Sequence, residues 1–169
     1  MHTRQKDHET PGPVEPWNEI TPGLWMGGHY TTPPGRALEP VVVDREFDLV
    51  VSLFTRSGHG PAREVEHLVQ EIPDGPLDPE QLRTAWEAAT HTAEAVRQGR
   101  SVLVRCHSGY NRSGLVVARA LVELGHRADR AVALVRERRS PWALNNSLFV
   151  DYLTAGLEVV EPPPAGLDG

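Results

Sequence analysis

One cysteine in 169 residues excludes an intrachain disulfide and any zinc cage built on several cysteines. Lysine is nearly absent as well: Lys6 stands alone against sixteen arginines. No apolar run approaches the roughly 18 residues of a membrane-spanning helix. The opening MHTRQKDHET lacks the apolar core of a secretory signal, so the expectation is a cytoplasmic protein. Surplus positive charge is missing too. The net charge of −6 argues against nucleic-acid and anionic-membrane partners. Proline is absent between Glu80 and Ser140, which leaves that stretch free to form long helices.

What is present suits one folded domain. Hydrophobic residues make up 39%, and a chain of this size buries about 70% of its unfolded surface. Pro11, Pro13 and Pro16 gather near one end and Pro162, Pro163 and Pro164 near the other. These compositions predict flexible tails over 1–15 and 157–169 around a domain spanning 16–156.

Inside that domain the front half reads as extended and the back half as alternating. Trp17 to Gly28 (WNEITPGLWMGG) suits short strands and a turn. FDLVVSLF at 47–54 suits a buried strand, and HLVQEI at 67–72 another. A helix over 79–98 is marked by Asp78 as N-cap, Pro79 at its first position, Gln81 three residues past the cap and Gly99 at its end. SVLVR at 101–105 reads as a central strand. SGLVVARALVEL at 113–124 is apolar on nearly every face and reads as a buried helix. Helices over 129–139 and 146–155 follow, the second turning Leu148, Phe149, Tyr152 and Leu153 inward. The fold class is therefore α/β, with a central, largely parallel sheet flanked by helices.

The stretch that carries chemistry is VLVRCHSGYNRSG, 102–114: buried strand, loop, buried helix. Open α/β sheets bind ligands at such a junction, beyond the strand's carboxyl end and at the helix N-terminus. Cys106 sits there, and Arg112 follows six residues later. Gly109 lets the loop backbone approach a ligand closely. The amides of His107, Ser108, Gly109, Tyr110, Asn111 and Arg112 can turn inward as an anion nest, and the helix dipole adds positive potential at the same point. Such surroundings favour the thiolate form of a cysteine.

The segment CHSGYNRSG resembles the phosphate-binding loop of the cysteine-based protein tyrosine phosphatases: Cys, five residues, Arg, then Ser or Thr. The chain's size is similar to the compact dual-specificity branch. ITPGLWMGG resembles that branch's opening strand, and ALNNSLF the start of its last helix. The resemblance covers most of 16–155. It implies a dual-specificity phosphatase-like fold and hydrolysis of phosphomonoesters without a metal or other cofactor. The substrate it implies is phosphorylated protein: phosphotyrosine, with some phosphoserine or phosphothreonine. Cys106 would attack phosphorus, and Arg112 would grip two phosphoryl oxygens with its planar fork. The amides of 107–112 would stabilise the transition state. Ser113, which also suits a helix cap, would hydrogen-bond the sulfur and help it leave. The family usually has His before the cysteine; here it is Arg105, which keeps a positive charge nearby without an imidazole's contacts. His107 is expected to point outward rather than act as a catalyst.

Cleavage of a phosphate ester also needs a proton for the leaving oxygen. IPDGPLDPEQL offers Asp74 and Asp78. Asp78 is already engaged as an N-cap, whereas Asp74 lies in a turn after a strand, in an Ile-Pro-Asp context similar to that of the family's compact members. Asp74 is the expected acid. Of the remaining polar groups, Arg56 and His59 either border the pocket and bind substrate anions or belong to a solvated Gly-rich turn, and the turn is the preferred reading. Arg136, Arg138 and Arg139 either recognise an acidic substrate or complement the dipole of the 129–139 helix, and the dipole is the preferred reading. Alternatives on the same fold are a phosphoinositide phosphatase, an RNA 5′-phosphatase and a catalytically weak phosphate-binding module. A loop without lysine speaks against the first, and the net charge against the second. Nucleophile, arginine and acid together speak against the third. Arsenate reduction on a similar loop would need further cysteines.

Overall fold

The computed structural model describes residues 10–155. Five strands form the main sheet: β1 (Trp17–Thr21), β2 (Leu24–Gly28), β5 (Leu49–Ser52), β6 (Glu66–Val69) and β7 (Val102–Cys106). Their order is β1-β2-β7-β5-β6. β2, β7, β5 and β6 run parallel, and β1 pairs antiparallel with β2 across a tight turn. The sheet is thus largely parallel, as the sequence predicts. A second pairing joins β3 (Tyr30–Thr31) to β4 (Glu39–Pro40). Four helices are described: α1 (Pro79–Arg97), α2 (Arg112–Glu123), α3 (Ala128–Arg138) and α4 (Ser147–Thr154).

Two helices, α1 and α4, start on side-chain caps visible in the chain. α1 opens with a complete capping box: Gln81 N donates to Asp78 Oδ1 at 2.7 Å, and Asp78 N to Gln81 Oε1 at 2.9 Å. α2 is buried along its first ten residues, Arg112 to Leu121, and so lies in the middle of the molecule. α4 departs from expectation. Phe149 and Leu153 are buried, but Leu148 points outward, because Asn146 caps the helix through Leu148 N and leaves that first turn at the surface.

Strand β7 is buried on both faces, and its alternation divides the core. Val102, Val104 and Cys106 face a large cluster that contains buried residues of all four helices. Leu103 faces a smaller cluster with Val43, Phe47 and Val50, against which Trp17 and Trp25 pack. Arg105 shares that second side. The helices therefore gather on one face of the sheet, and the 41–47 segment closes the other.

Residues 11–15, assigned to a tail at the sequence level, lie against the domain. Pro13 is buried, its carbonyl accepts from Thr32 N at 2.6 Å, and Pro11 O accepts from Tyr110 Oη at 2.6 Å. Residues 1–9 and 156–169, which include the expected C-terminal tail, lie outside the described residues. Among the described residues, no helix is long and apolar enough to cross a membrane.

Candidate active site

Cys106 ends β7, beside Gly28 in the register of β2. The turn that follows passes directly over β2: a Cβ on Gly28 would stand 2.6 Å from Ser108 C. Only glycine permits that approach. Gly109 adopts φ +79°, and a Cβ there would meet Arg139 Nη2 at 2.5 Å and Gly27 O at 2.6 Å.

Four successive carbonyls of this turn are held from outside. His107 O accepts from His29 N at 2.8 Å, Ser108 O from Arg139 Nη2 at 3.0 Å, Gly109 O from Arg139 Nε at 3.1 Å, and Tyr110 O from Leu144 N at 2.9 Å. A trans peptide is planar, so each N–H points opposite to the carbonyl of its own unit. Fixing these four carbonyls turns the N–H groups of Ser108, Gly109, Tyr110 and Asn111 away from the outer donors, toward the inside of the turn. The inward-facing amides expected from the sequence are therefore set by neighbours.

The sulfur sits at the base of this turn. Cys106 is 2% exposed. Its Sγ lies 3.3 Å from Ser113 Oγ and accepts from Ser113 N at 3.4 Å. Ser113 is inside α2 and does not cap it; Asn111 holds the N-cap position. Arg112 is buried beside Phe54, its guanidinium carbon 5.3 Å from the ring centroid. Its Nη1 donates to Ile72 O at 3.4 Å, and its buried Nε has no hydrogen-bond partner among the described residues.

Asp74 is brought to the same turn. Asn111 Nδ2 donates to Asp74 Oδ2 at 3.2 Å, and Asn146 Nδ2 donates to Asp74 Oδ1 at 3.0 Å. Each carboxylate oxygen thus receives a neutral donor. The same asparagines use their oxygens as well: Asn111 Oδ1 accepts from Asn146 N at 2.9 Å, and Asn146 Oδ1 accepts from Leu148 N at 3.1 Å. An amide side chain suits this double use, because its NH2 donates while its oxygen accepts. Asp78, by contrast, is spent on its capping box.

Two buried arginines contribute what the sequence reading did not assign. Arg139 is not a dipole partner at the surface. Besides the two loop carbonyls, its Nη1 donates to Glu15 O at 2.9 Å and Asn18 Oδ1 at 2.8 Å. Arg105, 1% exposed, donates to Ser52 Oγ at 3.0 Å, His59 O at 2.9 Å and Gly60 O at 2.6 Å. Burial pulls both guanidinium pKa values down to about 10, and both remain cationic at neutral pH. Neither has a carboxylate within ion-pair distance among the described residues, so their charge is left to the surroundings of the loop. The helical pattern gives no sign that separates Arg139 from Arg138. Alternation along β7 does place Arg105 on the sheet's second face.

His59 is likewise not part of a solvated turn. It is buried against His29, with Nδ1 atoms 3.0 Å apart. Phe54 O can only accept, so His29 Nε2, at 2.9 Å, carries a proton. Neutral His29 then accepts at Nδ1 from His59. Burial, with Arg105 second, pushes the His29 pKa down to about 3. His107 is half-buried rather than directed into solvent. Its ring lies 5.0 Å from that of Tyr30 and 5.2 Å from that of Phe54, centroid to centroid. No group of three or more His, Cys, Asp or Glu among the described residues is arranged to hold a metal ion.

A cysteine at the end of a central parallel strand, an amide-lined turn and an arginine opening the next helix define the architecture of the cysteine-based protein tyrosine phosphatases. Here it takes their compact, dual-specificity form. Human DUSP28 superposes with a TM-score of 0.65 at 19% identity, over 88% of this chain and 99% of that one. A mouse putative dual specificity phosphatase, in complex with zinc tungstate, gives 0.59 at 24% identity over 88% and 93%. Tk-PTP in its active form gives 0.60 at 25% identity over 86% and 96%. At these identities the likeness is one of fold. No protein-family model matches the sequence, and no curated protein matches it.

Proposed function

We propose that the protein is a metal-independent phosphatase of phosphorylated proteins, acting through a phosphocysteine intermediate. The observation that carries this reading is the turn after Cys106: four carbonyls are held from outside, which turns their peptide N–H groups inward, and the sulfur at the base of the turn is paired with Ser113. Such preorganised donors stabilise charge that develops on phosphoryl oxygens.

In the first half-reaction the Cys106 thiolate forms a bond to phosphorus while the ester P–O bond breaks. Arg112 and the loop amides hold the equatorial oxygens, and Asp74 gives its proton to the leaving oxygen. In the second, Asp74 takes a proton from water as that water attacks phosphorus. The S–P bond breaks, phosphate leaves, and Ser113 donates to the departing sulfur. The reading places the reaction in the cytoplasm, on phosphotyrosine with some phosphoserine or phosphothreonine, without nucleic-acid, membrane or metal partners.

Hydrolysis of an aryl phosphate in excess EDTA, wild type beside Cys106→Ser, tests it. Turnover that survives EDTA and is lost in the variant is expected. Turnover that needs a divalent metal, or that persists in Cys106→Ser, overturns the reading.

A further inference from the structure

The proposed reaction leaves one wall of the site unused. Phe54, which touches Arg112, carries a second guanidinium: Arg56 lies 5.2 Å from the same ring centroid and 5.8 Å from that of Tyr30. The guanidinium carbons of Arg56 and Arg112 are therefore within about 10.5 Å of each other, the sum of their distances to Phe54. His107 joins Tyr30 to Phe54, and all three rings are half-buried. Arg56 is exposed, and no carboxylate among the described residues lies within ion-pair distance of it. Arg36, Arg45, Arg97, Arg100, Arg127 and Arg130 each have one.

The segment that presents this wall is tied at both ends. Phe54 O is held by His29, while His59 O and Gly60 O are held by Arg105. The residue before the nucleophile thus anchors the rim, and the rim's cation stands on rings rather than free in solvent. A guanidinium stacked on aromatics keeps its charge and loses less freedom when it pairs.

We infer that Tyr30, Phe54, His107 and Arg56 form a recognition subsite for an acidic side chain next to a phosphotyrosine. The rings would flank the tyrosyl ring, and Arg56 would pair with the carboxylate. Consecutive Cα atoms are about 3.8 Å apart, so a Glu or Asp adjacent to the phosphotyrosine reaches across a span of this size. The inference rests on the phosphatase reading for the identity of the group at Arg112.

The test uses two phosphotyrosine peptides that differ only in Glu or Gln beside the phosphotyrosine. Their affinity is measured on the full-length Cys106→Ser chain, and their hydrolysis on wild type. The Glu peptide is expected to bind about three- to fivefold tighter, with the difference shrinking as salt is raised. Adding Arg56→Ala should abolish the difference, and adding Arg56→Glu should reverse it, each at an unchanged melting temperature. Equal affinities, a preference that survives Arg56→Ala, or no binding of either peptide would overturn the inference. A Glu preference in binding without hydrolysis by wild type would support the subsite and overturn the phosphatase reading instead.

Discussion

Asp74 and Asp78 lie four residues apart, and their partners give them different work. Asp74 has both oxygens held by asparagines next to the loop, whereas Asp78 holds the backbone of α1. Asp74→Asn should lower turnover by about 10²–10⁴-fold with little change in melting temperature. Asp78→Asn should leave turnover close to wild type, since Asn is also a good cap. Steady-state kinetics and thermal melts of the two variants check this, and a larger loss of turnover in Asp78→Asn would reverse the assignment. His29 supports a second prediction at this scale. Its ordinary pKa of 6.5 falls to about 3 in the folded chain. Between those values the unfolded state binds a proton that the folded state refuses, so stability falls as pH drops from 6.5 toward 3. The slope from this one group is at most about 1.4 kcal/mol per pH unit. Melts across that window should show a shallower decline in His29→Gln, whatever its stability at pH 7.5.

At the scale of elements, the turn between β7 and α2 owes its shape to α3, whose C-cap residue is Arg139. Removing that guanidinium strands several buried acceptors, each worth roughly 1–3 kcal/mol. Arg139→Met should therefore lower the melting temperature by about 6–12 °C and reduce turnover, and Arg139→Lys should restore only part because an ammonium cannot span the fork. Calorimetry alongside kinetics checks both variants. This dependence explains what the chain alone revealed and what it withheld. Cys106, Gly109, Arg112 and Ser113 stand in one short stretch with a recognisable spacing, and Asp74 is separated from Asp78 by local capping chemistry. Arg139 and His29 reach the turn from distant parts of the chain, so nothing in their neighbours marks them; Asn146 stands in ALNNSLF, which marks a helix start but not its bond to Asp74. Leu148 was placed inward by periodicity and turned outward by the cap at Asn146. Local signals were legible because their causes were local.

For the whole molecule, the N-terminal segment is part of the domain's support. Glu15 O receives Arg139, which holds the loop from outside, and Pro11 O receives Tyr110, a residue of the loop itself. A chain beginning at Pro16 should melt several degrees lower and turn over an aryl phosphate more slowly than the full chain; equal values would show that 11–15 merely rest on the surface. The four helices followed from periodicity and breakers, because each could be read within its own window, whereas the strand order β1-β2-β7-β5-β6 joins windows that are far apart in the chain. The docking of residues 11–15 could not, because proline, glycine and charge there resemble any tail. The loop's outer donors come from positions 29, 139 and 144. Closing such contacts costs chain entropy that short-range helices do not incur, so they form late in folding. A partly folded chain with β7 and α2 in place would still hold its carbonyls unclaimed and its nest unformed. On dilution from denaturant, oxyanion binding should therefore recover more slowly than helical signal, and on the proposed reading Cys106 becomes competent only once both ends of the domain have arrived.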